Sequence, residues 1–359
     1  MNITCRIDNM RFSEIDIVKC LCILLVVYGH CYLPGTHFIY LFHISSFIIC
    51  AGFTFKSDYS VNIYNVLQFI KKRLLKLYIP YIIFNFLYCI FNNVFVKIKF
   101  LPDELSYGNG VSFFKNVVSI FLFHGYTYFG GPTWFLRALF LVSIISVIID
   151  FLIKKVIHNY SLLIEFLLSF FLILICYYLN LSKYCLDLGY ICYFYNLFIL
   201  GRLIRLLYEK INFGQIYKLI VMCSSFVILI ILNGFGSIEL LECRIQNPSF
   251  YIIVSYLGFI MLLFVSDILK DFTIIMKVLS FIGQKTIWIL GLHFFIFKLV
   301  TFLIVKIYRL PKNILQNGPT ILDAISNKIV WGGVYICSAI IFSITISYLY
   351  TVYRGKINA

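Results

Sequence analysis

Charge is scarce in this chain. Of its 359 residues 13% are Asp, Glu, Lys or Arg, 62% are hydrophobic, and the mean hydropathy is +0.96. A soluble domain of this length carries far more charge, so that class is excluded. Acids are the scarcer kind: 15 against 30 bases, a net charge of +15. The bases are not gathered in one domain. They stand at the ends of apolar runs, as topogenic charges do, which argues against nucleic acid as a partner. No C-x-x-C pair and no Cys/His metal spacing occurs among the 12 cysteines. Most, such as Cys20, Cys22, Cys50, Cys89 and Cys176, lie within apolar runs and read as small buried hydrophobes. Apolar and polar residues do not alternate, which excludes a β-barrel. No repeat, low-complexity tract or attached soluble domain stands out. The first apolar run lacks a small-x-small cleavage site and carries Asp8, Glu14 and Asp16 at its front, so it reads as a retained span.

What the chain has is apolar runs long enough to cross about 30 Å of hydrocarbon. Ten are read: 18–36, 38–55, 78–96, 134–153, 161–179, 190–208, 215–233, 250–267, 284–304 and 329–350. The predicted fold is all-α, a polytopic transmembrane helical bundle forming a single domain over 1–359, with the lipid bilayer as its surroundings. With the N-terminus cytoplasmic, the larger share of the 30 Lys and Arg residues falls inside, including Arg6, Arg11, Lys71, Lys72, Arg73, Lys154 and Lys155. That bias predicts both termini in the cytoplasm. Two outer segments, 97–133 and 305–328, are longer than connectors need to be. The first holds the aromatic piece Val111–Phe123, an interfacial or re-entrant helix.

Five motifs could carry chemistry. In the first span Asp16 and Lys19 stand at the mouth of the apolar run and His30 lies within it. On a helix Lys19 and His30 share nearly one face, about 16 Å apart along the axis. A histidine inside an apolar run needs a partner or a polar cavity, and imidazole suits activation of a hydroxyl. In the second span His43 stands at the outer end, and Gly52 allows close helix approach. Arg73 and Lys76, at i,i+3 before Pro80, read either as topogenic charge or as a phosphate clamp. Arg202 and Arg205 form a competing clamp. Trp134 fits an interfacial belt, and Arg137 either snorkels outward or lines a cleft. Gly283 leads into a span with a second deep histidine, His293.

In this order the motifs resemble the acyltransferase-3 family of integral membrane acyltransferases. The basic residue, ten residues and then histidine of the family are Lys19 and His30, with Asp16 at the Asp position. Phe42, His43, Phe47, Gly52 and Phe53 match its second-span motif. Arg73, Lys76, Leu77 and Pro80 match its cytoplasmic motif, Trp134-Phe135-Leu136 its W-F-[LI], and Gly283, Thr286 and His293 its late motif. Cys20, Cys22, Ser45, Ala51 and Leu290 depart from the usual glycine, alanine, proline, serine and tyrosine.

The resemblance implies ten spans in a bacterial cytoplasmic membrane. It implies transfer of an acyl group, usually acetyl, from cytoplasmic acyl-CoA to a sugar hydroxyl of a cell-surface polysaccharide or its lipid-linked precursor. Acetyl-CoA would be a donor substrate, with no permanently bound cofactor and no metal. Arg73 and Lys76, with Lys19, would hold the CoA phosphates. His30 would act as general base or accept the acyl group. Asp16 would pair with Lys19, while His43, His293, Trp134 and Arg137 would face the acceptor. Two other classes also suit a basic polytopic chain. A flippase or exporter of lipid-linked glycans would spread polar residues over many spans, whereas here they concentrate on the first, second, fourth and ninth. A glycan polymerase would carry a large basic outer loop, and the outer segments here are modest.

Overall fold

The structure is a computed structural model that describes residues 12–157, 160–211 and 213–357. Arg6, Arg11, Asp8 and both chain termini lie outside the described residues. The helices are α1 (Ser13–Gly29), α2 (Thr36–Tyr40), α3 (His43–Phe53), α4 (Ile63–Arg73), α5 (Ile79–Lys97), α6 (Gly110–Phe121) and α7 (Trp134–Val156). They continue with α8 (Ser161–Tyr178), α9 (Leu186–Lys210), α10 (Gln215–Leu232), α11 (Pro248–Leu269), α12 (Thr273–Gln284), α13 (Thr286–Ile307) and α14 (Lys328–Ile357). One short antiparallel pair, β1 (Ile238–Glu239) and β2 (Arg244–Ile245), joins Ile238 to Ile245. The chain is 79% helical, as an all-α polytopic bundle requires.

Among the described residues nine helical stretches are long and apolar enough to cross a membrane. They coincide with nine of the ten predicted spans. The tenth, the first, is the 17-residue α1, about 25 Å long. It ends earlier than the predicted 36. Tyr32 takes a left-handed φ of 53° and Gly35 one of 87°, and Pro34 lies between them. His30 therefore stands in the turn that follows the helix, not inside it. The apolar surface is turned outward. The stretch Gln215–Leu232 has a mean hydropathy of 2.2 with 11% of its residues buried. Such a face is stable against lipid and not against water.

The chain divides into two compact units. The first takes the described residues up to Cys22, His37–Leu75 and Ala138–Gln284. Its centre is α9, crossed closely by α3. A Cβ at Gly52 would collide with the Phe198 carbonyl, and one at Gly201 with the Ile49 carbonyl. These two glycines let the backbones touch. Phe53, Phe194, Phe198 and Phe259 fill the core around the crossing.

The second unit takes Ile23–Thr36, Lys76–Arg137 and Lys285 onward. Here α5 meets α13: Tyr88 donates to the Gly291 carbonyl at 2.8 Å, and Gly291 faces the Phe84 ring. Helix α14 packs on α13 through Phe297 and Tyr335, and Thr301 bonds the Tyr335 hydroxyl at 2.7 Å. Between α4 and α5 the helix widens into a π segment, Leu74–Tyr78. Pro80 gives the reason. It has no N–H, and its ring clashes with the carbonyl four residues back, so the regular ladder fails there.

Candidate active site

In the first unit the acids Glu14 and Asp16 occupy the opening turn of α1, where the helix dipole favours them. The Lys19 ammonium lies 3.6 Å from the Asp16 carboxylate, the i,i+3 pair read from the sequence. Asp16 is 5% exposed and also accepts from Ser280 at 3.5 Å. Gly283 lies against the same turn, where an added Cβ would collide with the Asp16 carbonyl. The glycine of the late motif thus has a steric reason in the first motif. Glu14 pairs with Lys270 at 2.5 Å, and Lys270 also pairs with Asp267. Burial alone would lower the Lys270 pKa, but Asp267 and Glu14 overcome it and hold it above the usual lysine value.

His43 opens α3 and is buried. Its Nδ1 donates to the Ile39 carbonyl at 2.8 Å, and its ring stacks on Tyr40 at 5.1 Å. It is thereby tied to α2. The Arg73 guanidinium lies 4.9 Å over the Phe69 ring, and its buried Nε has no hydrogen-bond partner. Lys76, three residues on, belongs to the second unit and is exposed within the π segment.

The second unit brings two predicted residues together. His30 and His293 have ring centroids 5.4 Å apart with a 31° tilt. Phe294 meets both rings, at 4.8 Å from His30 and 4.9 Å from His293. His30 is half-buried, whereas His293 is fully enclosed in the third turn of α13. The His293 Nδ1–H donates to the Ile289 carbonyl at 2.9 Å. In the neutral ring that leaves a lone pair on Nε2, and Nε2 has no hydrogen-bond partner. Two imidazoles in an aromatic wall, one a fixed hydrogen-bond acceptor and the other half-buried, can orient a hydroxyl and take its proton at the half-buried ring.

Arg137 turns back along its own unit, donating to His124 Nδ1 at 2.9 Å. Trp134 is half-buried, with its ring edge-on to Phe135. The loop before them hangs on Asn85, a buried residue that the sequence reading passed over. Asn85 donates to Thr133 at 2.8 Å and accepts from the Thr127 backbone at 2.9 Å. Lys298, inside α13, is fully buried and donates to the Leu315 carbonyl. It fixes the segment ahead of α14.

The competing clamp takes another role. In the first unit Arg202 binds Glu165 at 2.7 Å and Asp150 at 3.1 Å, both acids fully buried. Lys154 pairs with Asp150 at 2.9 Å and donates to Ser60 at 2.8 Å. Arg202 is a structural cation. The signal for this cluster was present, because an acid inside an apolar run demands a partner.

A family model described as "Acyltransferase domain", that of acyltransferase-3, matches residues 12–350. No curated protein matches the chain, and no solved structure does.

Proposed function

We propose that this chain, which belongs to the acyltransferase-3 family and is a multi-pass membrane acyltransferase, uses acyl-CoA to O-acylate a sugar. The group moved is acetyl. The acceptor is a hydroxyl of a cell-surface polysaccharide or of its lipid-linked precursor, and the setting is the bacterial inner membrane. The observation that carries the reading is the contact between His30 and His293, with a lone pair held on His293 Nε2.

Each role follows from local chemistry. Arg73, Lys76 and Lys19 are the cations assigned to the donor's phosphates, which basic side chains bind well. Lys19 lies in the second turn of α1 and His30 in the turn after its end, and the helix rises about 15 Å from Lys19 to Gly29, a length that suits a pantetheine arm. His30, half-buried, is the residue that reaches the reacting carbonyl and hydroxyl. It takes the hydroxyl proton as that oxygen attacks the thioester carbonyl, and returns it to the sulfur as the C–S bond breaks and CoA leaves as the thiol; or its own nitrogen first displaces the CoA thiol, and the sugar hydroxyl then displaces the ring from the acyl group. His293 supplies a fixed acceptor for the proton or the hydroxyl beside it. Phe294 keeps water from the thioester.

The test is glycan O-acetylation in cells carrying His30→Ala or His293→Ala at matched membrane levels. Loss of acetyl from the polysaccharide, by about a hundredfold or more for His30→Ala, is expected. Normal acetylation in His30→Ala refutes the site. Loss of the whole surface glycan on gene deletion points to export or polymerisation instead.

A further inference from the structure

A cleft of about 550 Å³ opens in the second unit immediately past His30. One wall is the turn Tyr32, Leu33, Pro34, and the other is Leu322, Asp323 and the start of α14 from Asn327. The volume falls in the range of small-molecule sites. Both walls are built. The Tyr28 hydroxyl donates to the Pro34 carbonyl at 2.6 Å, and Tyr32 N–H bonds back to Gly29 at 3.1 Å. The walls meet where Leu33 packs on Gly332, whose Cβ would come within 2.9 Å of the leucine. Lys328 and Asp323 pair at 2.6 Å along the second wall.

The backbone in the cleft is unusual. Seven described residues other than glycine have left-handed φ, and two of them, Tyr32 at 53° and Asn327 at 63°, line it from opposite walls. Asparagine tolerates that region, but a tyrosine there is an outlier. Strain of this kind gathers at ligand sites. The strained turn does not bury the ring, since Tyr32 is 66% exposed. It presents an aromatic face to the cleft, with a carboxylate, an amide and an ammonium nearby.

We infer that this cleft is the acceptor subsite, and that it takes one sugar ring of the glycan. The inference rests on the function proposed above. A pyranose has one C–H face for an aromatic ring and hydroxyls that both donate and accept. Tyr32 supplies the first, while Asp323, Asn327 and Lys328 supply partners for the second. His30 and Tyr32 are two residues apart, so their Cα atoms lie within about 7 Å of each other. The subsite and the catalytic histidine are therefore held by one rigid turn.

The test uses the full-length protein in lipid nanodiscs, with acetyl-CoA as donor and chemically de-O-acetylated repeat-unit oligosaccharide as acceptor. Tyr32→Ala and Asn327→Gly each raise the acceptor KM about three- to tenfold, the worth of one aromatic or hydrogen-bond contact. Glycine keeps the left-handed φ at 327. The donor KM stays unchanged, and Tyr32→Phe, which keeps the ring, stays near wild type. Acceptor KM values unchanged in both variants of an active enzyme overturn the subsite and leave the proposed function standing. A wild-type enzyme that consumes acetyl-CoA but acylates no oligosaccharide overturns the proposed function, and the subsite with it.

Discussion

Replacing Arg202 by methionine separates structure from chemistry at the end of α9. Arg202 donates one nitrogen to Glu165 at 2.7 Å and another to Asp150 at 3.1 Å, and neither acid is exposed. Without the guanidinium Asp150 keeps Lys154 at 2.9 Å and the Ser60 hydroxyl, so its charge stays matched. Glu165 keeps the Tyr195 hydroxyl at 3.3 Å and is left beside the Asp150 carboxylate, with no base of its own. A buried acid left in that state has lost the base that offsets its burial. Breaking a buried pair by removing one partner costs about 3–5 kcal/mol. Arg202→Met is therefore expected to lose about 3–5 kcal/mol of stability, read by SDS titration of the purified protein in mixed micelles. The double variant Arg202→Met/Glu165→Gln removes the unmatched charge and recovers most of the loss. Under the proposed function the acetyl-CoA KM per folded molecule stays unchanged, because both guanidinium contacts go to buried acids. A single variant as stable as wild type, or a double variant no better than the single, refutes the reasoning. A raised donor KM with intact stability restores Arg202 as a phosphate clamp.

Three further outcomes follow from the same geometry. Gly283→Ala places a Cβ against the Asp16 carbonyl, so α12 must shift from α1; a loss of about 1–3 kcal/mol is expected, seen as a lower melting temperature. Asn85→Leu leaves the buried Thr127 N–H without its acceptor and costs about 1–3 kcal/mol, with protease cleavage appearing first between residues 124 and 133. Arg73→Ala raises the acetyl-CoA KM about tenfold or more while acceptor KM holds, as loss of a charge-assisted phosphate contact predicts; equal effects on both substrates refute the clamp.

The spans were legible because hydropathy alone carries them. Nine predicted runs coincide with nine long apolar helices. The misplaced boundaries have physical causes. Residues 31–36 are apolar enough to extend α1, but Tyr32, Pro34 and Gly35 turn the chain. The stretch Ile63–Lys97 begins well before the predicted 78, because a helix rich in Lys and Arg has no hydropathy signal. Within the site, the Asp16–Lys19 pair was readable since i,i+3 spacing is local. The His30–His293 contact was not, because it depends on which helices pack, and periodicity carries no such information. Asn85 and Lys298 were missed for the same reason.

What sorts the cations by role is the scarcity of acids, 15 against 30 bases. Arg73, Arg202, Lys19 and Lys270 all stand at the ends of apolar runs, and spacing cannot rank them. Each buried carboxylate needs a base, and there are few carboxylates. Asp150 and Glu165 claim Arg202 and Lys154. Glu14 and Asp267 claim Lys270, and Asp267 claims Lys218 as well. Asp16 claims Lys19. Arg73 instead lies over an aromatic ring with its Nε unpartnered. A guanidinium matched by a carboxylate must lose that pair before it can bind phosphate, whereas one over a ring keeps its donors. Under the proposed function the donor's phosphates fall to Arg73 ahead of Lys19, and Lys19, held by Asp16, shapes the mouth of the first helix more than it grips a ligand.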